Sequence, residues 1–558
     1  MKDIIVNAFV DYLNSLHNGN AANQNAIGEM QISSPFFGVT QVKRPLVNFI
    51  KNKVERGEFI ILTGHAGDGK TTLLAQIFDE LGYKQDKLFP SADVSCGSEM
   101  TVHYIKDFSE LTKTEQDAEL RSCFTRQGTS VLIANTGPLL RAFSDLDDND
   151  YEASLLDVMD SPSGGYITVE DLGKAFILNI ARVDNTDFIK PYLTNLIADD
   201  NWIECTYCSC AEKCPIYFNR NILAERISRA SDFIEKVYIW LQEYDRRATI
   251  RQITAHLTYS ITGGLNCVSV ANHCSDTWRS RFLFSNLFFG CEGVHPKAGA
   301  KQIRGIQLVN NEKFDTRPTS VDYDLFNKNQ YNLFFPEELA CVFDDTFNKQ
   351  RYSDAGAVQT ILKRAFLFFG HSNKETERKQ GEETFSKWFD LYLRIRRNGE
   401  KPKESFKKSI CSAINTLFVG EILEDSVDHI DLTLRRNNEQ TSNVQLLSGR
   451  ISIDNISLKS DPYETVSGEK QYHLVLIVKN TKYRISLPLL NYFYEIYRGI
   501  IITDIDPMLS NGIDSLKAQL LSSYPMSYDE DEVPLVFLSG NKWVKRKLII
   551  GEHSIDHE

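Results

Sequence analysis

Residues 59 to 78 read FIILTGHAGDGKTTLLAQIF, and the stretch from Gly64 to Thr71 fits G-x-x-x-x-G-K-[ST] without a mismatch. An apolar run, Phe59 to Leu62, precedes the glycines, and an amphipathic run with Leu73, Leu74, Ile77 and Phe78 follows them. Buried strand, glycine loop and helix start, in that order, predict a P-loop, whose main-chain N–H groups turn inward around phosphate oxygens. Gly64 opens the motif, and Gly67 and Gly69 are required because a Cβ at such positions collides or forces an unfavourable φ. Lys70 offers an ammonium to the β- and γ-phosphates, and the Thr71 hydroxyl suits Mg²⁺. Asp68 in the loop and Thr72 in the first helical turn complete the candidate binding set, with the helix N-terminus directed at the same anion. A merely flexible connection would not need the lysine. The expected ligand is ATP with Mg²⁺.

A P-loop restricts the surrounding fold to an α/β sheet whose ligand crevice lies at the carboxyl ends of the strands. SVLIANTGPLLRAF supplies one such strand, Val131 to Ala134, ending at Asn135, a candidate sensor of the γ-phosphate or of the attacking water. The competing reading of Asn135 is a plain strand-to-helix turn. TVHYIKDFSEL places Asp107 after an apolar stretch that His103 and Lys106 interrupt. Asp107 is the candidate acid that orients Mg²⁺ through water, with Glu110 or Glu99 as candidate water activators; its other reading is a helix-capping aspartate. KAFILNIARVDN adds a further strand with Arg182 just past its end, whereas ITVEDL and the acidic SDLDDNDYE read as surface segments.

Upstream, VTQVKRPLVNFIKNKVERGE carries Val42, Leu46, Ile50 and Val54 four apart, a helix preceding the P-loop strand. Downstream, ILAERISRASDFIEKVYIWLQEYDRR has a helical apolar stripe, and in TIRQITAHLTYSITGG Thr249 caps a helix that Gly263 ends. In ATPases of the AAA+ type a helical lid presents an arginine to the nucleotide, and Arg251, in the first turn of this helix, is the candidate. A solvated arginine is the alternative for Arg246, Arg247 or Arg251.

Between core and lid, WIECTYCSCAEKCPIYFNRN holds Cys205, Cys208, Cys210 and Cys214, four of the chain's 11 cysteines. Such crowding points to a soft-ligand metal site. All four on a tight loop, or three of them with a remote ligand, suit structural Zn²⁺. An iron–sulfur cluster is the alternative, because the run is one residue short of C-x2-C-x2-C-x3-C-P and keeps the final Cys-Pro; free buried thiols are the third reading.

The chain has 558 residues, enough for several domains. The expected organisation is a helical segment at 1–40, a P-loop core at 41–198, a Cys-rich insert at 199–222, a helical lid and helical region at 223–420, and an α+β partner-docking domain at 421–558. From 425 the hydrophobic period changes to alternation, as in HIDLTLRR and YHLVLIVKNTKYRISL, with LPLLNYFYEIYRG as a helix and VPLVFLSGNKWVKRKLII as a closing hairpin. The fold class is thus α/β: a P-loop NTPase core of AAA+/STAND-like type with a parallel sheet, metal insert, lid and C-terminal α+β domain. The formal net charge of −13, from 62 basic and 75 acidic residues, excludes a molecule-wide field attracting DNA. Residues 386 to 408 are locally basic and aromatic, and read first as a solvated helix. No run of apolar residues reaches membrane-spanning length, and a cytoplasmic protein is expected.

GHAGDGKTT, IANTG, CTYCSCAEKCPIYFN and TIRQITAHLTYSITGG, in that order, resemble the DptF family of DNA phosphorothioation-dependent restriction proteins, over residues from about 40 to 290. The resemblance implies an ATPase subunit of a bacterial anti-phage restriction complex, partnered by DptG- and DptH-like subunits and reaching DNA through that complex, with self-association as a further possibility. A second reading from a different class is a nucleotide-gated, STAND-like scaffold that binds ATP and signals to a separate effector.

Overall fold

The computed structural model describes residues 5–18, 34–83, 88–96, 100–146, 151–184, 186–273, 275, 277–349, 354–371, 373–420, 428–433, 443–466, 468–500, 505–524, 531–540, 542–551 and 554–557. Glu99, Leu434, Asn541, most of the polar stretch after Asn18 and the centre of SDLDDNDYE lie outside them. The chain forms two compact units, one of Met1–Thr376 with Glu464–Glu469, the other of Glu377–Tyr463 with Lys470–Glu558.

In the first unit a six-stranded sheet comprises β1 (Phe59–Thr63), β2 (Ser91–Cys96), β3 (Met100–Ile105), β4 (Thr129–Ala134), β5 (Gly165–Val169) and β6 (Gly173–Asn179), in the order β2-β3-β4-β1-β6-β5. β3, β4, β1 and β6 run parallel, while β2 and β5 pair antiparallel at the two edges. The sheet is therefore mixed, not wholly parallel as expected. ITVEDL, expected as surface loop, supplies most of β5, where Ile167 and Val169 are buried and Tyr166 and Thr168 are exposed. The alternation is that of a strand with one covered face. His103 sits in β3 opposite Asp93 of β2, and its Nδ1 lies 2.8 Å from that carboxylate, so the polar interruption of the strand has its partner on the neighbouring edge.

β1 is buried along its whole length because helices cover both faces. Ile60 and Leu62 pack with α2 (Pro45–Glu55) and α3 (Lys70–Glu80), whereas Phe59 and Ile61 pack with α4 (Lys113–Thr125), α5 (Thr136–Ser144) and α6 (Glu152–Asp160). Pro45 fixes the start of α2, leaving Val42 ahead of it and half-buried; α1 (Ala8–Asn18) precedes both. α7 (Ile189–Leu196) leads through the cysteine-rich turns to α8 (Pro215–Glu243), which starts directly after Cys214 and is kinked at Arg226. α9 (Ile250–Thr262) follows, with a capping box between Thr249 and Gln252 and Gly263 in the left-handed conformation at its end.

Two buried polar residues fix α8 and α9 in place. Asn219 on α8 donates to the carbonyls of Ile261 and Phe282 and accepts from the Phe284 N–H at 2.7 Å. His256 on α9 is wholly buried, with Nδ1 2.7 Å from the Tyr238 hydroxyl and Nε2 2.7 Å from the Phe288 carbonyl. A carbonyl only accepts, so Nε2 carries the proton and Nδ1 accepts from Tyr238. A Cβ on Gly305 would come within 2.8 Å of His256 Cβ, which accounts for that glycine. No described helix is long and apolar enough to cross a membrane.

The second unit is α+β. One five-stranded sheet includes His429–Thr433, Val444–Ser452 and the hairpin Glu532–Ser539 with Lys542–Ile550; a three-stranded sheet includes Lys470–Val478 paired with Thr481–Arg484. Val478 pairs with Thr481, so the turn is Lys479-Asn480. Phe389–Asn398 and Glu404–Val419, the basic and aromatic segment, are helices of this unit.

Burial lowers the His256 pKa from 6.5 to about 4. The unfolded chain takes up this proton first as pH falls, so the stability that neutral His256 contributes is intact above pH 6.5 and is lost progressively towards pH 4. The shift is equivalent to about 3 kcal/mol. Chemical denaturation at pH 7 and pH 4.5 should show a steeper loss for the wild type than for His256→Gln.

Candidate nucleotide site

The loop joining β1 to α3 turns on three glycines with positive φ, Gly64 (148°), Gly67 (92°) and Gly69 (81°). Asp68 is 1% exposed, and its Oδ2 accepts from the His65 N–H at 2.9 Å. Its Oδ1 accepts from the Arg247 guanidinium at 2.7 Å. Arg247 lies in the turn between α8 and α9, so a side chain 179 positions away neutralises the loop's carboxylate. The same turn touches the loop backbone: the Arg251 N–H donates to the Gly67 carbonyl at 3.1 Å. A Cβ on Gly67 would stand 3.1 Å from Thr249 Oγ1 and 3.2 Å from Arg251 Cβ, so only glycine brings loop and helix this close.

Lys70 Nζ donates to the Gly64 carbonyl at 2.9 Å, the His65 carbonyl at 2.9 Å and Asn135 Oδ1 at 3.0 Å. Burial lowers its pKa, with Asp68 and Asp107 acting in the opposite direction and Arg251 reinforcing the fall. Arg251 is half-buried, and burial lowers its pKa as well. Among the described residues its guanidinium has no hydrogen-bond or carboxylate partner. Thr71 and Thr72 occupy the first turn of α3, half-buried.

Asn135 and Asp107 follow the carboxyl ends of β4 and β3. They are linked through Ser109, whose hydroxyl accepts from the Asn135 N–H at 3.0 Å and whose own N–H donates to Asp107 Oδ1 at 3.0 Å. Asp107 thereby caps the short turn Phe108–Glu110, the local role that the sequence also allowed. Because β4 lies between β1 and β3, Asn135 stands next to Lys70 and Asp107 one strand further along the crevice. Glu110 is exposed, and Arg182 pairs at the surface with Asp160 at 2.7 Å. Lys70, Asn135 and Asp107 thus stand together at the strand ends, and Arg251 is near enough for its charge to act on Lys70. Arg247, Asp68 as its ion-pair partner and Ser109 were not legible as site residues. An arginine two residues before a helix cap, together with a carboxylate inside the glycine loop, is the signal that finds the pair.

The cysteine run is arranged differently. Cys205 belongs to the short turn Ile203–Thr206, and Cys214 caps α8, its sulfur accepting from the Tyr217 N–H at 3.5 Å. Cys210 is half-exposed, with the Ser209 hydroxyl 4.0 Å from its sulfur. Among the described residues no three His, Cys, Asp or Glu side chains are gathered into a group able to hold a metal ion. Cys205, Cys208, Cys210 and Cys214 therefore do not form, as a set, the tight four-ligand loop expected for zinc or an iron–sulfur cluster.

Removing Arg247 leaves the Asp68 carboxylate buried without its counter-charge. Arg247→Ala should cost about 3 kcal/mol, read from urea or thermal unfolding, and Asp68→Asn added to it should restore part of that loss. Compared with known protein-family models, curated proteins and solved structures, the chain matches none.

Proposed function

We propose that the first unit binds a nucleoside triphosphate, ATP, with Mg²⁺ in the crevice between the Gly64–Thr71 loop and the N-terminal turn of α9, as an ATPase of AAA+/STAND-like type with α8 and α9 as its helical lid. One observation carries this reading: a glycine loop at a helix N-terminus with two cations beside it, Lys70 and Arg251, the second without any anionic partner among the described residues. Two mutually repelling cations in a half-buried crevice are a site for an anion. Lys70 is positioned to exchange its carbonyl partners for phosphate oxygens. Thr71 and, through water, Asp107 are the residues suited to Mg²⁺, which would supply charge neutralisation on the phosphates. Asn135, fixed from behind by Ser109, is suited to orient the attacking water or sense the terminal phosphate. The order of motifs shared with the DptF family supports a role as the ATPase subunit of a phosphorothioation-dependent restriction complex with DptG- and DptH-like subunits, working in the cytoplasm.

A second reading, a nucleotide-gated scaffold with slow turnover, is favoured by the way the crevice carboxylates are committed. Asp68 is bound to Arg247 and Asp107 to the Ser109 N–H, which leaves neither as an unengaged base.

Calorimetry with Mg²⁺–ATP should show saturable binding that Lys70→Ala weakens about 100-fold, through loss of charge-assisted hydrogen bonds, and Arg251→Ala about 10-fold. Equal affinity of Lys70→Ala and wild type would refute the site. Phosphate release stimulated by unmodified DNA and the partner subunits, and abolished by Asp107→Ala, favours the ATPase; tight binding with negligible release favours the scaffold.

A further inference from the structure

An ammonium has three N–H donors, and in Lys70 each is already taken: by the Gly64 carbonyl at 2.9 Å, the His65 carbonyl at 2.9 Å and Asn135 Oδ1 at 3.0 Å. A phosphate oxygen therefore reaches this ammonium only by displacing one of the three. The two carbonyls belong to the main chain of the glycine loop, which the bond from the His65 N–H to Asp68 and the bond from the Arg251 N–H to the Gly67 carbonyl hold in shape. Asn135 Oδ1 sits instead on a rotatable side chain, whose backbone is anchored by the bond from the Asn135 N–H to Ser109 Oγ at 3.0 Å. Of the three acceptors it alone leaves by turning a side chain.

The same residue offers that oxygen a second place. Asn135 is the N-cap of α5, with φ −83° and ψ 151°, the extended conformation from which an asparagine ordinarily accepts from the N–H of the second or third helical residue. Its side chain makes no such bond. The third residue of α5 is Pro138, which has no N–H, so the Gly137 N–H is the donor that remains for a cap. One amide oxygen thus has two uses from one backbone position, the ammonium of Lys70 and the first turn of its own helix, and it serves the first.

We infer that Asn135 is a two-position regulator of the nucleotide site: on Lys70 it competes with the phosphates and lowers affinity, and on the Gly137 N–H it frees the lysine and caps α5. The inference rests on the reading of this crevice as a nucleotide site and adds to it a built-in competitor. A hydrogen bond to a charged group is stronger than a helix cap, so exchanging one for the other leaves a net penalty on binding of about 5-fold. A nucleoside diphosphate isolates the effect, because its β-phosphate engages the P-loop lysine while it has no γ-phosphate for Asn135 to contact.

The test titrates the full chain with Mg²⁺–ADP by calorimetry, as wild type, Asn135→Ser, Asn135→Ala, Lys70→Ala and Lys70→Ala combined with Asn135→Ser. Serine keeps the helix cap and is too short to reach Lys70, so Asn135→Ser should unfold at no lower temperature than wild type and bind Mg²⁺–ADP about 5-fold more tightly. Asn135→Ala, which has neither use of the oxygen, should gain as much. In the Lys70→Ala background the serine substitution should leave affinity unchanged, because the competition acts through the ammonium. Measurable binding by the wild type that Asn135→Ser and Asn135→Ala leave equal or weaken overturns the inference while sparing the site, and so does a gain that persists without Lys70. A wild type that binds neither Mg²⁺–ADP nor Mg²⁺–ATP overturns the nucleotide reading and the inference together.

Discussion

The ion pair between Asp68 and Arg247 is the contact on which the geometry of the crevice depends. Asp68 has no exposed side-chain surface, and a carboxylate in that position is tolerated only with a counter-charge and hydrogen bonds. Both oxygens are used, one by the loop's own His65 N–H and one by Arg247. Because Arg247 belongs to the turn between α8 and α9, the shape of the glycine loop and the placement of α9 are set by the same bond. The buried Arg44 lies within the electrostatic field of both members of the pair and of Asp187 and Asp184.

Around that fixed point the sheet distributes the polar groups in sequence. β1 carries the loop, β4 carries Asn135 and β3 carries Asp107, and the chain of hydrogen bonds from Lys70 through Asn135 and Ser109 to Asp107 runs across the strand ends in the same order. The lysine's three oxygen partners use all three donors of its ammonium. Arg251 is complementary: its main chain is anchored to Gly67 while its charge stays unmatched among the described residues.

Features governed by near neighbours in sequence were legible there. The strand, glycine loop and helix order at residues 59 to 78, the cap at Thr249, the end of α9 at Gly263 and the strand ending in Asn135 each follow from a few consecutive residues whose backbone needs are local. What escaped depends on pairing across the chain. Arg247 gains its role from a carboxylate 179 positions away. β2 and β5 were missed because short edge strands bury only alternate residues, and β2 spends one position on Asp93, whose purpose is His103. The kink at Arg226 inside an otherwise regular apolar stripe likewise had no local signature.

The absence of a side chain at Gly67 has a mechanical consequence. With its carbonyl bonded to the first turn of α9 and no room for a Cβ beside Thr249, loop and helix meet without an intervening side chain at this position. A shift of this loop by a fraction of an ångström passes directly into rigid backbone. His256 holds α9 at its middle and Asn219 holds it near its far end, so the loop meets the one turn of the helix that those two contacts leave to it.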